Sequence, residues 1–92
     1  MNRGPGVKER LARYIATELL NQPGAPVGDD EDLLGTGVLD SLSVMSLVHF
    51  VEQEWGIAVP AEDIVIEHFE SLAAIEAYLA RRGVPPTGRA AG

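Results

Sequence analysis

Three stretches of this chain repeat their apolar residues at helical spacing, and breaker-rich connections separate them. In the first, Val7, Leu11, Ile15 and Leu19 recur every four residues, with Tyr14 and Leu20 beside the stripe. That pattern predicts a helix from about Val7 to Leu20, stopped by Asn21 and Pro23. The second stretch starts at Ser41 and ends at Trp55, with Asp40 as N-cap and Gly56 as C-terminal stop. The third runs from Leu72 to Arg82 behind a Ser71 cap. Leu72, Ile75 and Leu79 form its stripe, Ala74 and Tyr78 lie beside it, and Gly83 ends it. Arg81 and Arg82 sit favourably at its negative end. Between the second and third stretches, Ile57 to Pro60 reads as an extended crossing, and Pro60 opens a short helical turn from about Ala61 to Val65. The expected fold is an all-α bundle of three main helices plus one short helix.

The ends, residues 1–6 and 83–92, are rich in Gly and Pro and read as flexible, which puts the folded domain at 7–82. The 21–40 connection is long for a chain of 92 residues, so it should be anchored or functional. Leu33, Leu34, Val38 and Leu39 are its candidate anchors, and Gly35 and Gly37 permit its turns. A domain of this size buries only about 60–65% of its unfolded surface, which leaves little room for a deep active-site cavity. With no Cys, the chain has neither a disulfide nor a thiol of its own.

Charge is segregated. Residues 27–80 hold twelve acids and no Lys or Arg, while the bases cluster near the two ends. An acidic body repels nucleic-acid phosphates and anionic membranes and favours partners with a basic patch, although acidity also serves solubility alone. No apolar run reaches membrane-spanning length, and the N-terminus lacks the apolar core of a signal peptide. A cytoplasmic monomer with no nucleic-acid or membrane partner is the expectation.

The second stretch carries two apolar faces. At about 100° per residue, Val44, Leu47, Val48, Val51 and Trp55 share one arc, which is the core face. Leu42, Met45, Ser46 and His49 fall on the opposite side, and Ser41 sits between the two at the helix start. A second apolar patch is either covered by another element or used for binding. The short turn near Ile64 and Val65 is the element that could cover it.

Ser41 behind Asp40 has a capping reading and a chemical one. A hydrolase nucleophile is disfavoured, because Leu39 and Ser43 stand where the nucleophile elbow needs Gly. His49 lies about 12 Å along the helix, too far to act as a base, and His68 could approach only through the tertiary fold. No catalytic residue is expected. The Asp29 to Asp32 run lacks calcium-loop spacing, so it reads as a solvated acidic loop with no metal.

Residues 33–60, Leu33-Leu34-Gly35-Thr36-Gly37 through Asp40-Ser41-Leu42 to Glu52-Gln53-Glu54-Trp55 and Ile57-Ala58-Val59-Pro60, resemble the carrier proteins of fatty acid, polyketide and nonribosomal peptide pathways, including the discrete D-alanyl type. The closing stretch from His68 to Leu79 is similar as well, so the resemblance covers roughly residues 7–82. It implies a four-helix carrier-protein bundle that is not an enzyme. It implies a covalent 4'-phosphopantetheine arm on Ser41, flanked by Asp40 and Leu42, which holds an acyl or aminoacyl group as a thioester. The implied partners are a phosphopantetheinyl transferase, an acyl- or aminoacyl-loading adenylating enzyme, and a downstream ketosynthase, condensation or acyltransferase enzyme. The fatty-acid carriers place acids along the exposed side of this helix; here that side offers Ser43, Ser46 and His49. A mixed apolar partner surface of Leu42, Met45, Ser46 and His49 is therefore expected. The rival reading is an unmodified helical adaptor that uses the same patch.

Overall fold

The computed structural model describes residues 6–35, 37 and 39–85. It is an all-α bundle: α1 (Val7–Tyr14), α2 (Ser41–Trp55), the one-turn α3 (Ile66–Phe69) and α4 (Leu72–Arg81), with a 3₁₀ turn at Ala61–Asp63. Among the described residues there is no strand, and no helix is long and apolar enough to cross a membrane. The core joins Val7, Leu11 and Ile15 of α1 to Leu47, Val48, Val51 and Trp55 of α2. Leu72, Ile75, Tyr78 and Leu79 of α4 and Phe69 of α3 complete it. The expected stripes face inward except at Leu19, which is half-buried, and Val44 is the half-buried member of the α2 core face.

The first helix departs from the expected run to Leu20. After Tyr14 it continues as a π-helical turn, Ile15–Leu19, closed by the Leu20 N–H bonded to the Ile15 carbonyl at 2.8 Å. The wider winding lets the adjacent Ile15 and Ala16 both face the core, and Leu19 and Leu20 become half-buried flanks. Asn21, at φ 57°, then turns the chain away.

The 21–40 connection is held at both ends of its anchor region. Leu33 and Leu39 are buried, Leu33 N–H bonds the Glu70 carbonyl at 2.9 Å, and Leu39 N–H bonds the Leu33 carbonyl at 2.9 Å. Val38 lies outside the described residues. The acidic run works locally as well as facing water. Asp29 pairs with Lys8 at 2.8 Å, and Asp32 accepts from Gly35 N–H at 2.9 Å. A Cβ at Gly35 would meet that carboxylate, so a larger residue there would displace the Asp32 side chain from its bond.

The short helix sits later than expected. Pro60 opens only the 3₁₀ turn, Ile64 and Val65 take non-helical backbone, and α3 begins at Ile66. The β-branched pair Ile64-Val65 disfavours helix there, and buried Phe69 lies in the turn that follows. At the other end, α4 stops at Arg81, with Arg82 as its cap. Arg82 binds the Ala58 carbonyl at 2.8 Å and Asp63 at 3.4 Å, while Arg81 lies over the Tyr78 ring. Gly83 takes φ 93°, and Val84 is buried with its N–H on the Leu79 carbonyl, so packing runs two residues past position 82. Of the ends read as flexible, residues 1–5 and 86–92 lie outside the described residues.

Tyr78 ties α4 to the preceding loop: its hydroxyl donates to Asp63 Oδ2 at 2.7 Å. Burial, then that bond and the Asp63 charge, push the phenol up to about 12 against the opposing pull of Arg82 and Arg81. A raised folded value favours the protonated phenol. Its stabilisation is therefore complete below the unfolded value near 10 and is lost as pH rises towards about 12. Denaturant titrations should show stability falling over that window. The gap between wild type and Tyr78→Phe should close there, although Lys8, also raised by its bond to Asp29, titrates in both proteins. A gap that stays constant with pH would rule this out.

Candidate functional site

Ser41 is the first residue of α2 and is exposed. Asp40 takes the extended N-cap conformation, and its side chain accepts from Ser43 N–H at 2.8 Å. The cap is thus Asp40, and the Ser41 side chain is not needed for it. The Ser43 backbone N–H, with the Ser43 hydroxyl second, holds the Asp40 carboxyl below the usual carboxylate range.

Beside Ser41 a groove of about 450 Å³ opens between α2 and the segment leading into α3. Asp40 and Ser41 stand in its wall with Leu34, Val44, Met45, Ile64, Val65, Ile66 and Phe69. The lining is apolar except for those two residues. Leu42 is 80% exposed, Met45 53%, Val65 38% and Ile66 67%, so the Ile64–Ile66 segment does not cover the second apolar face of α2. It adds a second bank to it, with Met45 on one side of the groove and Val65 and Ile66 on the other.

Sequence reasoning missed Val65 and Ile66 as site residues. The available signal was the β-branched run Ile64-Val65-Ile66 flanked by Asp63 and Glu67, too short and too polar at its ends to be a core element. The remaining expected surface residues are placed less uniformly. Leu42, Ser46 and His49 are exposed on α2 but do not line the groove. His68 is engaged elsewhere: its Nδ1 lies 2.8 Å from the Asp63 carbonyl and its ring stacks on Tyr78. A second groove of about 470 Å³ lies between α1 and the C-terminal half of α2. There Arg10 and Glu54 pair at 2.9 Å and Tyr14 stacks on Phe50.

An exposed serine at a capped helix start, beside an apolar groove in a chain without Cys, suits the attachment of a group that brings its own thiol. Residues 9–79 match the family described as "Phosphopantetheine attachment site". The chain belongs to that family. As a phosphopantetheine-attachment domain it is a carrier with a covalent 4'-phosphopantetheine cofactor. Domains of this family are not themselves catalytic. They interact with modifying and biosynthetic enzymes.

Among solved structures, this carrier domain is similar to a chain from one described as "Crystal structure of FAD-dependent dehydrogenase". The identity is 32%, the TM-score 0.67, and the match covers 74% of this chain and 96% of that one. Since 74% of 92 residues is about 68, the matched chain is about 71 residues long, the length of one small domain. The likeness therefore bears on the helical bundle. No curated protein matches.

Proposed function

We propose that Ser41 carries the arm and that this domain ferries an acyl or aminoacyl group between enzymes of polyketide, nonribosomal peptide or related biosynthesis. The observation that carries this reading is the exposed Ser41 on the wall of the groove, with the cap supplied by Asp40. The Ser41 oxygen displaces the adenosine bisphosphate part of coenzyme A, forms a phosphodiester with the arm and loses its proton to the transferase's base. Once bound, the arm supplies a thiol that holds the cargo as a thioester. The chain's own contribution is placement. Asp40 and the first turn of α2 fix Ser41, and the apolar banks give partner enzymes a surface that lowers the entropy cost of each encounter.

The partner classes are a phosphopantetheinyl transferase, an adenylating loading enzyme, and a ketosynthase, condensation or acyltransferase enzyme. The 32%-identical structure, described as an FAD-dependent dehydrogenase, adds a flavin dehydrogenase to those worth screening. Incubation with coenzyme A and a broad-specificity transferase should add one arm to the intact mass, and peptide mapping should place it on Ser41. No mass gain would favour the unmodified adaptor.

The partner surface should answer to apolar burial more than to charge, since the groove wall holds a single acid, Asp40. Burying a Leu or Met side chain contributes roughly 1.5–3 kcal/mol. Met45→Glu should therefore slow arm attachment or loading at least about tenfold with little change in melting temperature. Raising salt from low to physiological levels should matter less, because salt screens charges and leaves apolar contact intact. If salt abolishes loading while Met45→Glu leaves it unchanged, the docking site is the acidic loop.

A further inference from the structure

The far bank of the groove has little structure of its own. α3 is four residues long, too short to be stable alone, and Ile64 and Val65 are not helical. Where Val65 and Ile66 stand must be set by ties to the rest of the bundle. One tie is the bond from Leu33 N–H to the Glu70 carbonyl at the end of α3. Arg82 adds bonds to the Ala58 carbonyl and to Asp63, and three further contacts converge on Tyr78 of α4.

We propose that Tyr78 is the positioning residue of the groove: through Asp63 and α3 it fixes the Val65/Ile66 bank against Ser41 and so sets how well partner enzymes dock. Its hydroxyl donates to Asp63 Oδ2 at 2.7 Å, at the start of the non-helical segment. Its ring stacks on His68, with centroids 4.6 Å apart and planes at 26°. The same ring meets Phe69 with centroids 6.1 Å apart, and Phe69 lines the groove. One buried residue thus grips the wall before, within and at the end of α3. Asp63 is suited to be the other half of the grip. Its carboxylate takes Tyr78 and, at 3.4 Å, Arg82, while its carbonyl meets His68 Nδ1 at 2.8 Å.

Releasing the segment leaves the groove's chemistry unchanged but makes each docking event pay to order the bank, which weakens encounter and spares the chemical step. The inference rests on the reading of the Ser41 groove as the attachment and docking site.

Tyr78→Phe keeps the ring contacts and removes only the hydroxyl. In arm attachment at a temperature well below melting, it should raise KM for the carrier at least about threefold and leave kcat within about twofold. Asp63→Ala removes the same bond from the other side and should do likewise. The double variant should add little to either, and Asp63→Asn, which keeps an acceptor, should restore most of the loss. Amide relaxation of Ile64–Ile66 should show increased motion in Tyr78→Phe. A lower melting temperature with unchanged KM and unchanged relaxation would overturn the proposal, as would additive single variants. Should Tyr78→Phe not fold, Asp63→Ala alone decides by the same criteria. Failure of the Ser41 reading would show separately, as wild-type protein that takes no arm or takes it elsewhere. The relaxation data on 64–66 do not depend on that result.

Discussion

Ser41→Ala is expected to abolish the mass gained on incubation with coenzyme A and a transferase while leaving the melt unchanged. The first half follows from chemistry. Only a hydroxyl can form the phosphodiester, and among the hydroxyls of α2 that of Ser41 lines the groove, whereas that of Ser46 does not. Ser43, two residues further along α2, is half-buried, and its N–H is taken by the cap. The second half follows from the cap. Replacing a true N-cap by Ala costs about 1 kcal/mol. Here the cap is Asp40, with Ser43 N–H at 2.8 Å, and it is untouched by the change. Alanine is also the best helix former, so it suits the first helical position. Intact mass and a thermal melt on one preparation test both halves. A variant that still takes the arm shows that another hydroxyl is the acceptor. A variant that loses the arm and also melts several degrees lower shows that Ser41 has a structural role.

What the sequence made legible was whatever is encoded locally. The four-residue stripe of α1, the Asp40 and Ser71 caps and the Gly56 and Gly83 stops all act within one or two turns of themselves, and they mark the three main helices. The opposed faces of α2 were legible for the same reason. The misplaced features are decided at a distance. The π turn after Tyr14 satisfies two adjacent core positions, Ile15 and Ala16, a demand that comes from the helices packed against them. The position of α3 is set by where Phe69 can reach the core and by what Tyr78 and Asp63 hold, and neither is visible in the run from Pro60 to Glu67. The candidate site divides the same way. Ser41, Leu42 and Met45 lie on one helix and could be placed by counting. The opposite bank, Val65 and Ile66, exists only because the chain returns to α2 after the crossing.

Trp55→Ala is expected to remove most of the protein's stability. Trp55 is 6% exposed at the C-terminal end of α2. Its ring meets Phe50 edge-on with centroids 5.9 Å apart, and Phe50 in turn stacks on Tyr14 of α1 at 4.3 Å. The indole is therefore the inner end of an aromatic run that fastens α1 to α2. The left-handed Gly56 directly after it fixes the last turn of α2, so backbone collapse into the vacated space is restricted. Truncating a buried Trp costs about 3–5 kcal/mol when the site cannot relax. Small domains stand near the low end of about 5–15 kcal/mol of total stability, so the loss removes most of it. At about 4–8 °C per kcal/mol for a domain of this size, the melting temperature should fall by at least about 12 °C. Trp55→Phe, which keeps an aromatic edge for Phe50, should lose markedly less. Urea titrations of the three proteins decide the matter. A Trp55→Ala midpoint close to wild type would show that the run from Tyr14 through Phe50 holds the helices without the indole.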